Sequence, residues 1–535
     1  MHVHRLLAAG LGVLSLTLAP VARGADQDKD VRALANRIDQ RITAAWGADV
    51  KPAPVAADAE FFRRVHLDLA GRIPSVTEIR DFLEDDRPDK RRIWVDRILA
   101  GAADDSSYRD AHVNHFANVW RAALLAQTNQ QALFQQPALE QWLRQRLKTG
   151  VGYDMLVREL LTQQTAGNQG IAFPGGGAGD ASPAAFFLAN EFRPENLAGS
   201  TARLFLGVSL ECAQCHNHPF AEWTREQFWE YAAFFTDLPQ QPRPGAPARV
   251  ALLPRGEIKI MGTEKVVKAK FLDGTEPKWE GAGTRLTLVE WMTSPENPYF
   301  AKAAVNRLWA YFFGTVLVGQ SETGRDEGPK AHAELLDELA KAFAAHKFDV
   351  KFLIRAITAS EAYQRTSAVS HPSHKSAGLF ARMPLRGLTP EQLFDSLAVA
   401  TEYQEPLGAT DPFVAVRGGT GSPRAQFLAK FPSQEERTDY QTSILQALYL
   451  MNNEFIADRT SVKSNRTLAT LATQRTSTAR KIESLYLVAL SRKPRPEESE
   501  RFVKFVDASG AADTGKALGD VFWVMLNSPE FLLNH

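Results

Sequence analysis

The chain has 535 residues, of which 44% are hydrophobic and 23% charged, an ordinary globular balance with room for two or three domains. Lysine plus arginine equals aspartate plus glutamate at 62 each, so no charge surplus recruits nucleic acid or anionic lipid. The short Lys90-Arg91-Arg92 group reads as a solvated helix face, not a binding patch.

The N-terminus carries a targeting pattern. Met1 to Arg5 is a small basic region, and Leu6 to Ala19 is an apolar run too short for a comfortable membrane span. Ala22-Arg23-Gly24 offers small residues where a signal peptidase reads, so residues 1–24 are expected to leave by cleavage before Ala25. No later stretch is long and apolar enough to span a bilayer, so a periplasmic or secreted protein without a membrane span is expected.

Helical spacing dominates the residues after Ala25. Val31, Leu34, Ile38, Ile42 and Trp46 repeat with a helical period, and Pro52 and Pro54 break it. The run Phe61-Phe62-Arg63-Arg64-Val65-His66-Leu67-Asp68-Leu69 ends at Gly71; its charges read as ion pairs around a packed helix. Ser75 and Glu78 have capping-box spacing ahead of Ile79, Phe82 and Leu83. Further helices are predicted over Ile93–Leu99, over 111–126 with His112, His115, Phe116 and Trp120, and over Leu139–Leu147, the last stopped by Gly150.

Residues 167–183 are rich in glycine, alanine and proline. Pro174 to Gly179 lacks the Gly-Lys-Ser/Thr ending of a phosphate-binding loop and reads as a surface loop. A helix over Leu197–Leu210 is expected to deliver the cysteines. Thr224 and Gln227 then form a second capping box before the aromatic run Phe228, Trp229, Tyr231, Phe234 and Phe235. Pro242, Pro244, Gly245 and Pro247 mark a linker, and Glu257–Ile260 and Lys265–Phe271 flank Gly262 as a β-hairpin.

The second half returns to helix. Tyr299–Phe313 is apolar with Asn306 and Arg307 embedded, where a buried arginine calls for a structural partner. Thr389, Pro390 and Gln392 combine an N-cap, a first-turn proline and a capping-box partner. Residues 417–435 read as a loop, and the last elements are Ser443–Met451, Ile482–Leu490 and Val521–Leu533. The predicted fold class is mostly α-helical: two helical domains with a small β-hairpin insertion between them.

The chemistry concentrates in Cys212-Ala213-Gln214-Cys215-His216-Asn217-His218-Pro219-Phe220, which holds both cysteines of the chain. Two random cysteines would form C-x-x-C-H on the order of once in ten thousand chains. The pattern is that of c-type haem attachment: thioether bonds at Cys212 and Cys215, and His216 as the proximal iron ligand. Met261, His112 and His115 are the candidates for the distal ligand; His218 is too close in sequence to reach across the ring easily. Three other readings stay open. Cys212, Cys215, His216 and His218 are all competent zinc ligands, although cramped. A redox-active C-x-x-C is possible chemistry without a thioredoxin-like setting. A plain disulfide could staple the turn. The expected cofactor is haem c, with zinc or none as the alternative.

The chain resembles the exported two-domain proteins abundant in planctomycetes, in which a cytochrome-C-type domain precedes a second domain of unknown function. The first domain is matched by Phe62-Arg63-Arg64-Val65-His66-Leu67-Asp68-Leu69-Ala70-Gly71-Arg72-Ile73-Pro74 and by the cysteine motif with Trp223-Thr224. The second is matched by Asn297-Pro298, Ala304-Val305-Asn306-Arg307-Leu308-Trp309, Phe313-Gly314, His332-Ala333-Glu334-Leu335-Leu336, Ser360-Glu361-Ala362-Tyr363-Gln364 and Leu526-Asn527-Ser528-Pro529-Glu530-Phe531-Leu532. The resemblance divides the mature chain into a cytochrome-C-type domain at 28–240, a linker with the hairpin at 241–284 and a C-terminal helical domain at 285–535. It implies no reaction, so whether the protein is an enzyme stays open. An exported haem protein with a redox or electron-transfer role, serving a redox or envelope partner, is the functional expectation. An envelope binding or interaction protein with a metal knot or disulfide is the alternative.

Overall fold

A computed structural model describes residues 20–101, 110–126, 129–163, 181–219, 221–238, 256–279, 283–320, 327–328, 332–404, 422–430 and 449–535. The apolar run Leu6–Ala19, the glycine-rich 167–180 and the proline-rich 239–255 lie outside them. The first helix, Pro20–Ala44, passes through the expected cleavage point before Ala25. The protein is mostly α-helical, as its periodicity predicts. No helix among the described residues is long and apolar enough to cross a membrane.

Strands are few and short. The expected hairpin pairs Glu257–Lys259 with Val266–Lys268, antiparallel, with Gly262 in the left-handed region at the turn. Two further pairs join Gly319–Gln320 to Glu327–Gly328 and Arg386–Gly387 to Leu533–Asn534. The last pair carries the C-terminal segment back beside residue 386.

The helix Asp58–Ala70 organises the packing. Asp58 and Glu60 in its first turn suit the positive end of the helix dipole, and Gly71 ends it in the left-handed conformation. A side chain at Gly71 would be strained there, and its Cβ would stand 2.4 Å from the His115 ring. Every residue from Phe61 to Ala70 is buried, so this helix has no solvent face. Phe61, Phe62, Val65 and Leu69 enter a first core with Phe82 and Trp94; the Phe62 and Phe82 rings stack at 4.0 Å. Leu67 and Ile73 enter a second core built from residues between Leu388 and Phe531.

The first core is continuous across the stretch assigned as linker. It takes residues from Val31 to Leu238, from the hairpin (Ile260, Val267), and from Leu288 to Tyr363. The helices Phe300–Phe313, Ala333–Ala345 and Val350–Ala359 therefore bury their faces among the N-terminal helices. The helix Pro20–Ala44 packs on Val350–Ala359 and Ala333–Ala345.

Two local expectations need correction. Residues 197–210 are not one helix: Pro194–Thr201 passes into a π-helical turn, Ala202–Leu206, and stops at Gly207 with φ +66°. The expected loop at 417–435 contains a helix, Pro423–Ala429, capped by Ser422, whose hydroxyl accepts from the Ala425 N–H.

Candidate functional site

The cysteine motif comes directly after that π turn. Glu211–Gln214 forms one 3₁₀ turn with Cys215 at its end. Residues three apart eclipse in a 3₁₀ turn, so Cys212 and Cys215 share one face. Ala213 points the other way and is buried, and its N–H donates to the Leu210 carbonyl at 2.8 Å. Trp229 of the aromatic helix Arg225–Ala232 donates its indole N–H to the Gln214 carbonyl at 3.1 Å. The back of the turn is thus fixed, while both thiols are exposed and unbonded.

The two histidines differ in a way the sequence could not reveal. His216 Nδ1 lies 2.7 Å from the Asn217 carbonyl oxygen, which can only accept. Nδ1 therefore carries the proton, and Nε2 is the basic nitrogen. His218 Nδ1 accepts from the Ala221 backbone N–H at 2.9 Å, so in the neutral ring the proton sits on Nε2. An anchored Nδ1–H is the arrangement that orients a metal-binding imidazole. His216 has it and His218 does not.

The surrounding loop is ordered by local bonds. The His218 N–H donates to the Trp223 carbonyl at 2.8 Å, and the Arg225 N–H donates to Asn217 Oδ1 at 2.9 Å. Thr224 and Gln227 form the capping box read from the sequence. Phe220 lies outside the described residues. Arg203 pairs with Glu211 at 3.2 Å, an exposed contact of small energetic weight.

The donor set suits a c-type haem: two free thiols on one face, and beside them an imidazole with a basic Nε2. It suits a zinc knot less well. Among the described residues no three His, Cys, Asp or Glu side chains converge as metal ligands. Thioether sites need not converge on the iron, because they hold the porphyrin edge.

The upstream histidines are elsewhere. His112 is buried, with Nδ1 3.1 Å from the Leu69 carbonyl, and burial, helped by the Lys351 charge, pushes its pKa down to about 3. His115 Nε2 lies 2.6 Å from the Tyr311 hydroxyl. His115, through Tyr311, joins a second polar constellation, centred on Asp68, that sequence reading glimpsed only as paired charges.

Asp68 is fully buried and accepts from Arg386 Nη2 at 2.9 and 3.0 Å, from Tyr363 Oη at 2.7 Å and from Asn534 Nδ2 at 2.8 Å. The Tyr311 hydroxyl donates to its backbone carbonyl at 2.6 Å. Nearby, Arg64 donates to the carbonyls of Tyr363 and His535 and to Glu60. Arg63 reaches the carbonyls of Ala489 and Phe531 at 3.0 and 3.1 Å. Burial lowers the pKa of Arg63 to about 10, which still leaves it charged at neutral pH. This junction welds the two cores. The embedded pair Asn306 and Arg307 is structural too: Asn306 bonds the backbone of Leu317 and Val318, and Arg307 meets the Leu204 carbonyl of the π turn.

Two cavities lie away from the motif. A small polar one adjoins Arg386, Gln392 and Asn534. An apolar one is lined by Trp120, Tyr153, Leu308 and Phe343, with Arg307 at its wall.

Residues 37–240 match the family described as "Protein of unknown function (DUF1549)". Residues 284–417 and 425–506 match the family described as "Protein of unknown function (DUF1553)". No curated protein and no solved structure matches the chain. The chain belongs to the planctomycete-type two-domain family in which these two regions of unknown function succeed one another.

Proposed function

We propose that this chain is an exported c-type haem protein, with Cys212 and Cys215 as the thioether sites and His216 as the axial ligand, working in electron transfer with a redox or envelope protein partner. The supporting observation is the arrangement of one turn. Two unbonded sulfurs stand on its outward face, and the neighbouring imidazole has its Nδ1–H tied down and its Nε2 basic. Cys212 and Cys215 would hold the porphyrin through thioether bonds, the sulfur and proton of each thiol adding across one vinyl group, so no oxidant would be needed. Bound there, haem would supply a one-electron centre.

The chain's own residues contribute position. Ala213, Trp229 and the capped helix Arg225–Ala232 hold the turn from behind, so the thiols need not bond each other to keep its shape. That leaves a disulfide staple without a structural task. The Asn217 carbonyl holds the His216 ring and makes its Nε2 a better donor. Export rests on the basic and apolar segments between Met1 and Ala19 and on Ala22-Arg23-Gly24.

Intact-mass measurement of the protein made with and without a c-type haem maturation system tests this reading. The expected result is one covalently added haem with the system and none without it. Bare chain in both preparations, with stoichiometric zinc by elemental analysis, would favour the metal alternative.

A further inference from the structure

Two helices face each other across the apolar cavity. On Ala111–Leu124, Phe116, Val119, Trp120 and Ala123 recur at the spacing of one helical face. On Phe300–Phe313, Ala304, Arg307, Leu308 and Tyr311 repeat that spacing. Facing apolar stripes ordinarily bury against each other. Here a cavity separates them, and alanine at positions 123 and 304 contributes room that a larger side chain would fill.

The cavity has a floor and a mouth. Its floor is the buried ring pair Phe116 and Tyr311, with centroids 5.6 Å apart, and the Tyr311 hydroxyl is anchored on the Asp68 carbonyl. Towards the surface the lining becomes half-buried, at Val119, Trp120, Ala123, Arg307 and Leu308. The wall is stiff: Tyr153 stacks between Trp120 at 5.2 Å and Phe300 at 5.0 Å. A preformed apolar cleft with few polar groups is the usual form of a small-molecule site.

The mouth carries a sign. Among the described residues that line the cavity, Arg307 is the one charged side chain, and none is a carboxylate. Its guanidinium donates to the Leu204 and Arg203 carbonyls and lies over the Trp120 ring, 6.0 Å from the centroid. The cation is therefore held in place before any ligand arrives. An apolar slot beside a fixed guanidinium suits an apolar body with an anionic head. The stripe from residue 116 to residue 123 rises about 10 Å along its helix, close to the length of an octanoyl chain.

We propose that this cavity binds a single-chain apolar carboxylate, its body between the two helix faces and its head on Arg307. The site is independent of the haem reading.

Calorimetric titration of the full chain with octanoate, octanol and octylamine tests this. Octanoate is expected to bind one per chain, octanol about tenfold more weakly and octylamine more weakly still. Ala123→Phe, which puts a ring into the cavity, should abolish octanoate binding. Arg307→Met should bring octanoate down to the level of octanol. Arg307 also holds the turn before the cysteines, so the three-ligand comparison and Ala123→Phe decide the matter if that variant fails to fold. No binding of octanoate, octylamine binding as tightly as octanoate, or unchanged octanoate binding in Ala123→Phe would each overturn the assignment.

Discussion

Asp68 and His216 lie in the same family region, yet their surroundings are opposite. The Asp68 carboxylate is sealed from water and takes bonds from Arg386, Tyr363 and Asn534. Its partners come from residues 363, 386 and 534, so it joins the two cores and has little capacity left for a ligand. The cysteine turn is held mostly by residues 203–229, is exposed, and keeps both sulfurs unbonded. A saturated buried network fixes a shape. An exposed set of soft donors with a fixed back and an open front is suited to taking something on.

That contrast predicts opposite mutational profiles. Asp68→Ala strands the buried Arg386 guanidinium without its counter-charge and should cost about 3–5 kcal/mol of stability. Chemical denaturation measures this, and a loss under about 1 kcal/mol would deny Asp68 its joining role.

Acid should strain the buried side in a defined window. Burial pushes His66 down to about 4 and His112 down to about 3. The unfolded chain then binds protons near pH 6.5 that the folded chain refuses. Stability is full above about pH 6.5 and falls as the pH drops towards 4, by up to about 3–5 kcal/mol per histidine. Melting temperature against pH checks the sign; a flat profile across that window would show that these rings are not held neutral.

Smaller effects belong to the turn. Thr224→Ala removes the cap of the helix behind it and should cost about 1 kcal/mol. Replacing both Cys212 and Cys215 with serine should change the stability of the haem-free chain by less than about 0.5 kcal/mol, since neither sulfur is packed or bonded. A loss of about 2 kcal/mol or more would mean the sulfurs brace the turn.

What the sequence disclosed was local. Ser75 with Glu78, Thr224 with Gln227 and Thr389 with Gln392 all form the capping boxes their spacing announced. Gly71 and Gly150 end their helices in the left-handed region, and Gly262 turns the hairpin. The Ser422-Pro423 start signal was present but lay in a stretch without apolar periodicity, so the helix behind it was missed. The π turn before Gly207 left no mark in hydrophobic spacing. The Asp68–Arg386 pair spans 318 positions, and nothing in either neighbourhood names the other. The cysteine motif was fully legible as a pattern. The division between His216 and His218 was not, because it depends on which backbone group each Nδ1 meets.

The pyridine haemochrome spectrum of denatured protein, made in a host that matures c-type cytochromes, tests the central claim most directly. The account predicts a haem that stays with the chain after acid–organic extraction, one per molecule, and is lost when Cys212 and Cys215 are both replaced by alanine. A colourless wild-type protein whose two thiols still titrate as free would contradict it.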